Sequence, residues 1–289
     1  MKAMNQQSFR ERIAAYQRNP LSFFLAALVV LSAVITLTVL VALLVYILAK
    51  GIPNLKQELF EWEYNTTNVS MMPAIINTIT ITLMSLLFAV PAGVCSAIYL
   101  VEYAKRGNKF IPIVRLTTET LSGIPSIVFG LFGYLFFNIY LGWGYSILGG
   151  ALTLSIMILP LIMRTTEEAL QAVPDAYREG SFGLGAGKLR TVFRVVLPSA
   201  VPGILSGVIL AIGRIVGETA ALLYPAGTAA QVADGLFSSG RTLAVHMYAL
   251  LNEGLYMEQA YATAVILLVM VVCINALSSY IAKKAGVKA

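Results

Sequence analysis

The chain has 289 residues, of which 58% are apolar and only 12% charged, with a mean hydropathy of +0.80. Soluble domains carry about a quarter charged residues, so this composition excludes one and points to an integral membrane protein. The net charge of +6 does not indicate nucleic-acid binding, because the basic residues flank apolar spans and do not cluster on one polar face.

An apolar run of about 20 residues crosses about 30 Å of hydrocarbon as a helix. Residues 21–49 are the first such run. It is too long for a signal-peptide core and no small-residue cleavage site follows it, so it reads as an anchor. Segment 50–72 interleaves Glu58, Glu61 and Glu63 with Phe60, Trp62 and Tyr64, as an interfacial stretch would, and carries sequons at Asn65 and Asn68. Residues 73–101 form the second span, where Asn77, Thr78, Thr80 and Thr82 are expected to hydrogen-bond between helices. Residues 120–163 are uncharged for 44 positions, too long for one helix, and Gly142-Trp143-Gly144 supplies a turn that splits the region into spans at 113–138 and 146–164. In the third span Glu119, Ser122, Ser126 and Gly130 recur on one helical face, and Pro125 should kink or interrupt the helix. Such a break can expose backbone only toward protein or a water-filled path.

The fifth and sixth spans are expected at 199–223 and 259–282. Between them lies an outside loop, 224–258, with Pro225, Gly227, Gly235, Gly240, Arg241 and the single histidine, His246. Its length suits a partner contact, while a lone loop histidine is more often structural. Cys95 and Cys273 both fall inside spans and read as small buried thiols, not as a disulfide or metal pair. The expected fold class is therefore an all-α integral membrane protein of six transmembrane helices. We divide it into an N-terminal part, 1–72, and a transmembrane core, 73–289, with a cytoplasmic loop at about 165–198.

The loop is the most unusual stretch. Pro174 can open a helix and Gly183 and Gly185 can end one, so residues 175–182 read as a short helix lying across the membrane normal. Gly180 and Ser181 leave its middle without bulk, which lets a helix lie deep in another protein's groove, with Tyr177 and Glu179 at the edge. From Lys188 onward Leu189, Val192, Phe193 and Val196 fall at i, i+3, i+4 and i+7, an amphipathic piece expected to end at Leu197-Pro198. The string GAGK at 185–188 is not a phosphate-binding loop: Phe182 stands where its first glycine would be and Leu189 where the magnesium hydroxyl would be.

In the fifth span Arg214 and Glu218 would each cost about 2.5–3.5 kcal/mol if they faced lipid. On a continuous helix they share a face with Gly203 and Gly207 and sit at i and i+4, within pairing distance. Two readings follow: an anion site, in which the guanidinium fork takes the anion and the glutamate takes the cation back when it leaves, or a buried ion pair that pins the helix.

Glu179, Gly180 and Ser181, three residues, Gly185, nine residues, then Val195-Val196-Leu197-Pro198 resembles the Glu-Ala-Ala coupling loop of ABC-importer permeases, with Gly180 and Ser181 for the two alanines and Val195 for isoleucine. The stretches AIYLVEYA (97–104), ETLSGIPSIVFGLFG (119–133) and GRIVGETA (213–220) are similar to permeases of phosphate-specific ABC importers of the PstA type. This resemblance implies a type I ABC-importer permease in a bacterial or archaeal cytoplasmic (inner) membrane, without catalytic residues or bound cofactor of its own. It further implies a heterodimer with a second homologous permease subunit, two cytosolic ATPase subunits that use ATP and Mg, an extracytoplasmic phosphate-binding protein, and no nucleic acid. The substrate pathway would involve Arg214, Glu218, Glu119 and Ser126, and ATPase coupling would involve Tyr177, Glu179, Gly180, Ser181 and Gly185. Permeases for molybdate, sulfate or phosphonate share the coupling loop and are the alternatives. An ATP-independent channel or secondary transporter, and a membrane sensor without transport, are readings of another class.

With alternate sides assigned to successive loops, sixteen lysines and arginines fall on one side and three, Lys50, Lys56 and Arg241, on the other, which makes the first side cytoplasmic with both termini inside. Cysteines introduced at Asn65 or Ser238 should therefore react with an impermeant maleimide from outside, and one at Ala186 only after permeabilisation. External labelling at Ala186 would reverse the orientation.

Overall fold

The computed structural model describes residues 20–104, 107 and 109–286, which contain helices, turns and loops and no strand. Two units divide at Lys50 and Gly51. The first contains almost all of α1 (Pro20–Gly51), an unbroken apolar helix of 32 residues. The second begins with short 3-10 turns at Ile52–Asn54 and Gln57–Phe60. It continues through α2 (Met72–Ile98, with a π-helical turn over Tyr99–Tyr103), α3 (Phe110–Ser122), α4 (Ser126–Gly133, with a π-helical stretch over Tyr134–Tyr140), α5 (Ile147–Gln171) and α6 (Asp175–Gly183). Then α7 (Lys188–Thr191) runs through a π-helical stretch, Val192–Val196, into α8 (Leu197–Val216), followed by α9 (Ala220–Leu223), α10 (Leu243–Glu253) and α11 (Met257–Gly286).

Five of these stretches, α1, α2, α5, α7–α8 and α11, are individually long and apolar enough to cross a membrane, and α3 with α4 qualifies as a sixth, bent by 100°. The direction of the chain shows that the bent pair makes a crossing. Helices α2 and α5 pack side by side: Ser85 Oγ donates to the Ala151 carbonyl at 3.1 Å, and Ser155 Oγ to the Ser85 carbonyl at 3.0 Å. At one end, Thr78 of α2 and the first amides of α5 are held by the same outer segment: Thr78 Oγ1 accepts from the Leu243 amide, and Ile147 and Leu148 donate to the Ser238 and Leu236 carbonyls. At the other end both helices meet Arg178. Parallel neighbours need a return crossing between them, and α3–α4 supplies it.

The 100° break has a local cause. Pro125 is the N-cap of α4, at φ −59° and ψ 140°, and a residue before proline is disfavoured in the helical region, so α3 stops at Ser122. Of the expected kink or interruption the structure has the interruption, which places Glu119 and Ser122 on one helix and Ser126 and Gly130 on another. The expected turn at Gly142-Trp143-Gly144 is present, with both glycines at positive φ, 70° and 66°, where a side chain would be strained. Ser146 then caps α5, its hydroxyl accepting from the Gly149 amide.

Three expectations need correction. The amphipathic piece does not end at Leu197-Pro198: the helix continues, because the wide π turn over Val192–Val196 accommodates the ring that would strike the carbonyl four residues back. Cys95 and Cys273 are unpaired but exposed, facing outward from the packed spans. Of the polar residues of the second span, Thr78 accepts from the Leu243 amide that opens α10, as expected, but Asn77 bonds the outer loop, its Nδ2 donating to the Gln231 and Arg241 carbonyls, and Thr80 bonds Ile76 of its own helix. Segment 51–71 packs with the core, burying Leu59 and Met71 against Leu243 and Ala262.

The outer loop is pinned throughout. Asn138 Nδ2 donates to the Tyr224 and Pro225 carbonyls, and Gly240 approaches Asn77 so closely that a Cβ would lie 2.8 Å from its amide nitrogen. His246 lies in α10, fully buried, edge-on to the Tyr64 ring, while the Arg241 guanidinium stacks 4.8 Å over that ring. Burial, and after it the neighbouring Arg241 charge, lowers the His246 pKa to about 3. In the unfolded chain this histidine takes up a proton below about pH 6.5 while the folded chain keeps it neutral, so folding stability should fall as pH drops from about 6.5 toward 3. Its contribution to that slope approaches about 1.4 kcal/mol per pH unit. Thermal melting of the purified protein in detergent should show a shallower acid slope in His246→Phe; identical slopes would show that the ring does not titrate this way.

Candidate functional site

Two adjoining cavities open beside α5, one of about 130 Å³ between α3, α5 and α8 and one of about 230 Å³ between α3 and α5. The inner one is lined by Glu119 and Ser122 of α3, Pro160 and Arg164 of α5, and Arg214 of α8. The second shares Glu119 and Arg164 and adds Arg115, Glu167 and Glu168. Three arginines and three glutamates thus line one path, an arrangement lipid would not tolerate and a hydrated passage would.

The cations are not equivalent. Arg115 is held by Glu167, with Nη2 at 3.0 Å and Nε at 3.2 Å from Oε2, and Arg164 pairs one helical turn ahead with Glu168 at 3.0 Å. The second pair is well exposed and contributes little to stability. Arg214 makes no ion pair or hydrogen bond among the described residues. It reaches the cavity because small residues let α8 lie close to α5: a Cβ on Gly203 would meet Ala169 at 2.6 Å, and one on Gly207 would meet Thr165 at 2.0 Å.

The expected face of Gly203, Gly207 and Arg214 is therefore present, and it stops there. Helix α8 ends at Val216, and Glu218 sits in the break before α9, where its Oε1 accepts from the Ala221 amide at 3.1 Å. The helical i, i+4 pairing of Arg214 with Glu218 does not form, because Gly217 ends the helix between them. The carboxylate facing the same cavity as Arg214 is Glu119. Ser126 is half-buried at the start of α4 and does not line either cavity. Nearby, Gly130 of α4 packs against the backbone of α9, where a Cβ would lie 2.8 Å from the Ala220 carbonyl, so the two interrupted spans meet at that point.

The cytoplasmic loop folds as the sequence indicates. Pro174 caps α6, the helix ends at Gly183, and Gly185 follows at φ 81°. Tyr177, Glu179 and Gly180 are exposed, and a Cβ on Gly180, Gly183 or Gly185 would meet nothing within 4 Å, so the outer side of α6 is open. Ser181 faces inward, its hydroxyl 2.8 Å from that of Thr191. Leu189 and Phe193 are exposed while Val192 and Val196 are buried with Ile98, Leu170 and Ala200, so the apolar stripe is split between surface and core.

Sequence reasoning counted Arg115, Arg164 and Arg178 only among the cytoplasmic flanking charges, and so missed the first two as cavity residues and the third as a link between helices. A signal was present for the first two: Glu167 and Glu168 lie one turn beyond Arg164, on a helix that does not end at the apolar boundary.

Residues 89–287 match the family described as "Binding-protein-dependent transport system inner membrane component", and the chain belongs to that family. It is 36% identical over 245 residues to the probable ABC transporter permease protein YqgI of Bacillus subtilis, covering 78% of this chain and 81% of that one. It is 34% identical over 259 residues to the phosphate transport system permease protein PstA of Mycobacterium leprae, covering 84% and 83%. Among solved structures, a bacterial alginate ABC transporter bound to its periplasmic protein matches with a TM-score of 0.69 at 16% identity, over 94% of this chain and 98% of that one. The inward-facing methionine transporter MetNI matches with a TM-score of 0.60 at 20% identity, over 74% and 93%. These two establish the fold, that of ABC-importer permeases.

Proposed function

We propose that this chain is the permease subunit of an ATP-driven importer for inorganic phosphate in a bacterial or archaeal inner membrane. Similarity to the PstA permeases supports the cargo, and the observation that carries the site is Arg214, a cation lining a cavity at span depth with no partner among the described residues. A guanidinium presents planar forked donors suited to phosphate oxygens. An anion bound there supplies the countercharge that the protein leaves out, and can move on toward Arg164 and Arg115 only by competing with Glu168 and Glu167 for those cations. Glu119 contributes selectivity: an ionised carboxylate accepts a hydrogen bond from a protonated phosphate oxygen and repels sulfate, which has no proton to give. Glu218 acts indirectly, by holding the start of α9, and Ser126 by shaping the break before α4.

In this reading a second, homologous permease subunit completes the pathway, two cytosolic subunits bind ATP and Mg and dock on α6 around Glu179, Gly180 and Gly185, and an extracytoplasmic phosphate-binding protein delivers the anion. Hydrolysis takes place on the partner chains.

Arg214→Gln should lower phosphate uptake by the assembled complex in proteoliposomes by about 10–100-fold, the loss of one or two charge-assisted hydrogen bonds, with complex yield unchanged. Glu119→Gln should leave phosphate uptake measurable and admit sulfate as a competitor. If instead Arg214→Gln lowers yield, and yield and uptake both return in the double change with Glu218→Gln, the arginine is a structural pin and the anion site is wrong.

A further inference from the structure

Helix α6 contains no buried residue. A nine-residue helix with no apolar anchor must be held on the spans by polar contacts, and they converge on one side chain. Arg178 Nη2 donates to Glu102 Oε1 at 2.7 Å and to the Leu170 carbonyl at 2.9 Å; Nη1 donates to the Val173 carbonyl at 2.7 Å and to Asp175 Oδ1 at 3.2 Å; Nε donates to Glu102 Oε1 at 3.1 Å. A guanidinium has five N–H donors, and these bonds use all five. The pair with Glu102 is largely removed from water, the two side chains being 15% and 9% exposed.

These bonds tie three elements together. Leu170 and Val173 are at the C-terminal end of α5, where free carbonyls need donors. Glu102 is in the π-helical last turn of α2. Beyond α6 the Lys188 ammonium, the first residue of α7, lies 5.2 Å from the centroid of the Tyr103 ring, so the α6–α7 segment is held at both ends onto two consecutive residues of the π turn that closes α2. Helices α2 and α5 are in turn joined by the Ser85 and Ser155 hydrogen bonds, and α5 forms one wall of the arginine-lined cavity.

Resting on the reading that α6 docks an ATPase, we infer that Arg178 is the positioning residue that makes α6 one rigid body with α2 and α5. Movement imposed on α6 therefore reaches the cavity wall through this guanidinium. A lysine keeps the charge but offers three donors from one point and cannot span Glu102 and two carbonyls together.

The test uses the full complex in proteoliposomes, with ATP hydrolysis and phosphate uptake measured on the same preparation. Arg178→Lys and Glu102→Gln should retain the bound ATPase subunits while the ATP hydrolysed per phosphate imported rises by about tenfold or more. Joining Glu102→Cys to Arg178→Cys with a short bis-maleimide should bring that ratio back toward wild type, a rescue that a merely fold-stabilising residue would not show. An unchanged ratio, a loss of complex yield alone, or loss of the ATPase subunits from Arg178→Lys would each overturn the clamp. Gly180→Trp on the open side of α6 tests the docking reading separately: if it hydrolyses ATP and imports phosphate normally, α6 is not the docking element, whatever the clamp variants do.

Discussion

The structure depends on how closely α5 can approach its neighbours. In a bilayer no hydrophobic force drives helix against helix, so association rests on van der Waals packing and on polar groups satisfied between helices. Gly93 on α2 brings that helix onto Ile162, and Gly203 and Gly207 on α8 bring that one onto Ala169 and Thr165, each so near that a Cβ would collide. The Ser85 and Ser155 hydroxyls add hydrogen bonds between α2 and α5. Helix α5 thus becomes the shared wall of the fold, buried along most of its length, with Leu154, Ile158 and Ile162 inaccessible. Its outer end is closed by the loop carbonyls of Leu236 and Ser238, and its inner end by Arg178.

Two arginines on this scaffold show how partner count separates roles. Arg178 uses all five donors on protein acceptors and has nothing to offer a ligand, so its function is to hold position. Arg214 has no protein partner among the described residues and faces a cavity of about 130 Å³, so it retains its full capacity for an anion. A permanently paired Arg214 would place the carboxylate in competition with the substrate at every step. The end of α8 at Val216 avoids this by carrying Glu218 away from the guanidinium and engaging it with the amide of Ala221.

Most of the architecture was legible in the sequence because membrane spans are set by length and apolarity, and loop sides by basic residues. The six crossings, the Gly142-Trp143-Gly144 turn and the α6 helix followed from such local signals. What sequence could not give was the continuity of helices. Pro125 reads as a kink or a break and is a break, while Pro198 reads as an end and is accommodated, and the difference is a neighbouring π turn that no local signal announces. The i, i+4 arithmetic for Arg214 and Glu218 assumed a helix that Gly217 terminates. The same arithmetic placed Glu119 and Ser126 together, and the break set them apart. The long-range neighbours, Glu119 and Arg214 on one cavity and Glu102 bonded to Arg178, are brought together only by packing of separate spans.

The two interrupted spans make these losses of continuity functional. A straight α3–α4 helix would satisfy its own backbone, and its polar face would need burial against a neighbour along its whole length. With the break at Gly123, Ile124 and Pro125, α3 turns its Glu119 and Ser122 toward α5 and α8, while α4 departs at 100° to pack Gly130 against the backbone of α9. The break between α8 and α9 leads into that contact, so the two interruptions, which at membrane depth need protein or water beside them, are linked where α4 meets α9. Helix α5 supports both sides of the second break, since Gly207 of α8 lies against its Thr165 and its Gly150 lies against Leu222 of α9, and its Thr153 also receives Gly133 of α4. The cavity beside Arg214 is therefore shaped by where the helices stop and not by a bend within any of them, because the joints are already built into the chain.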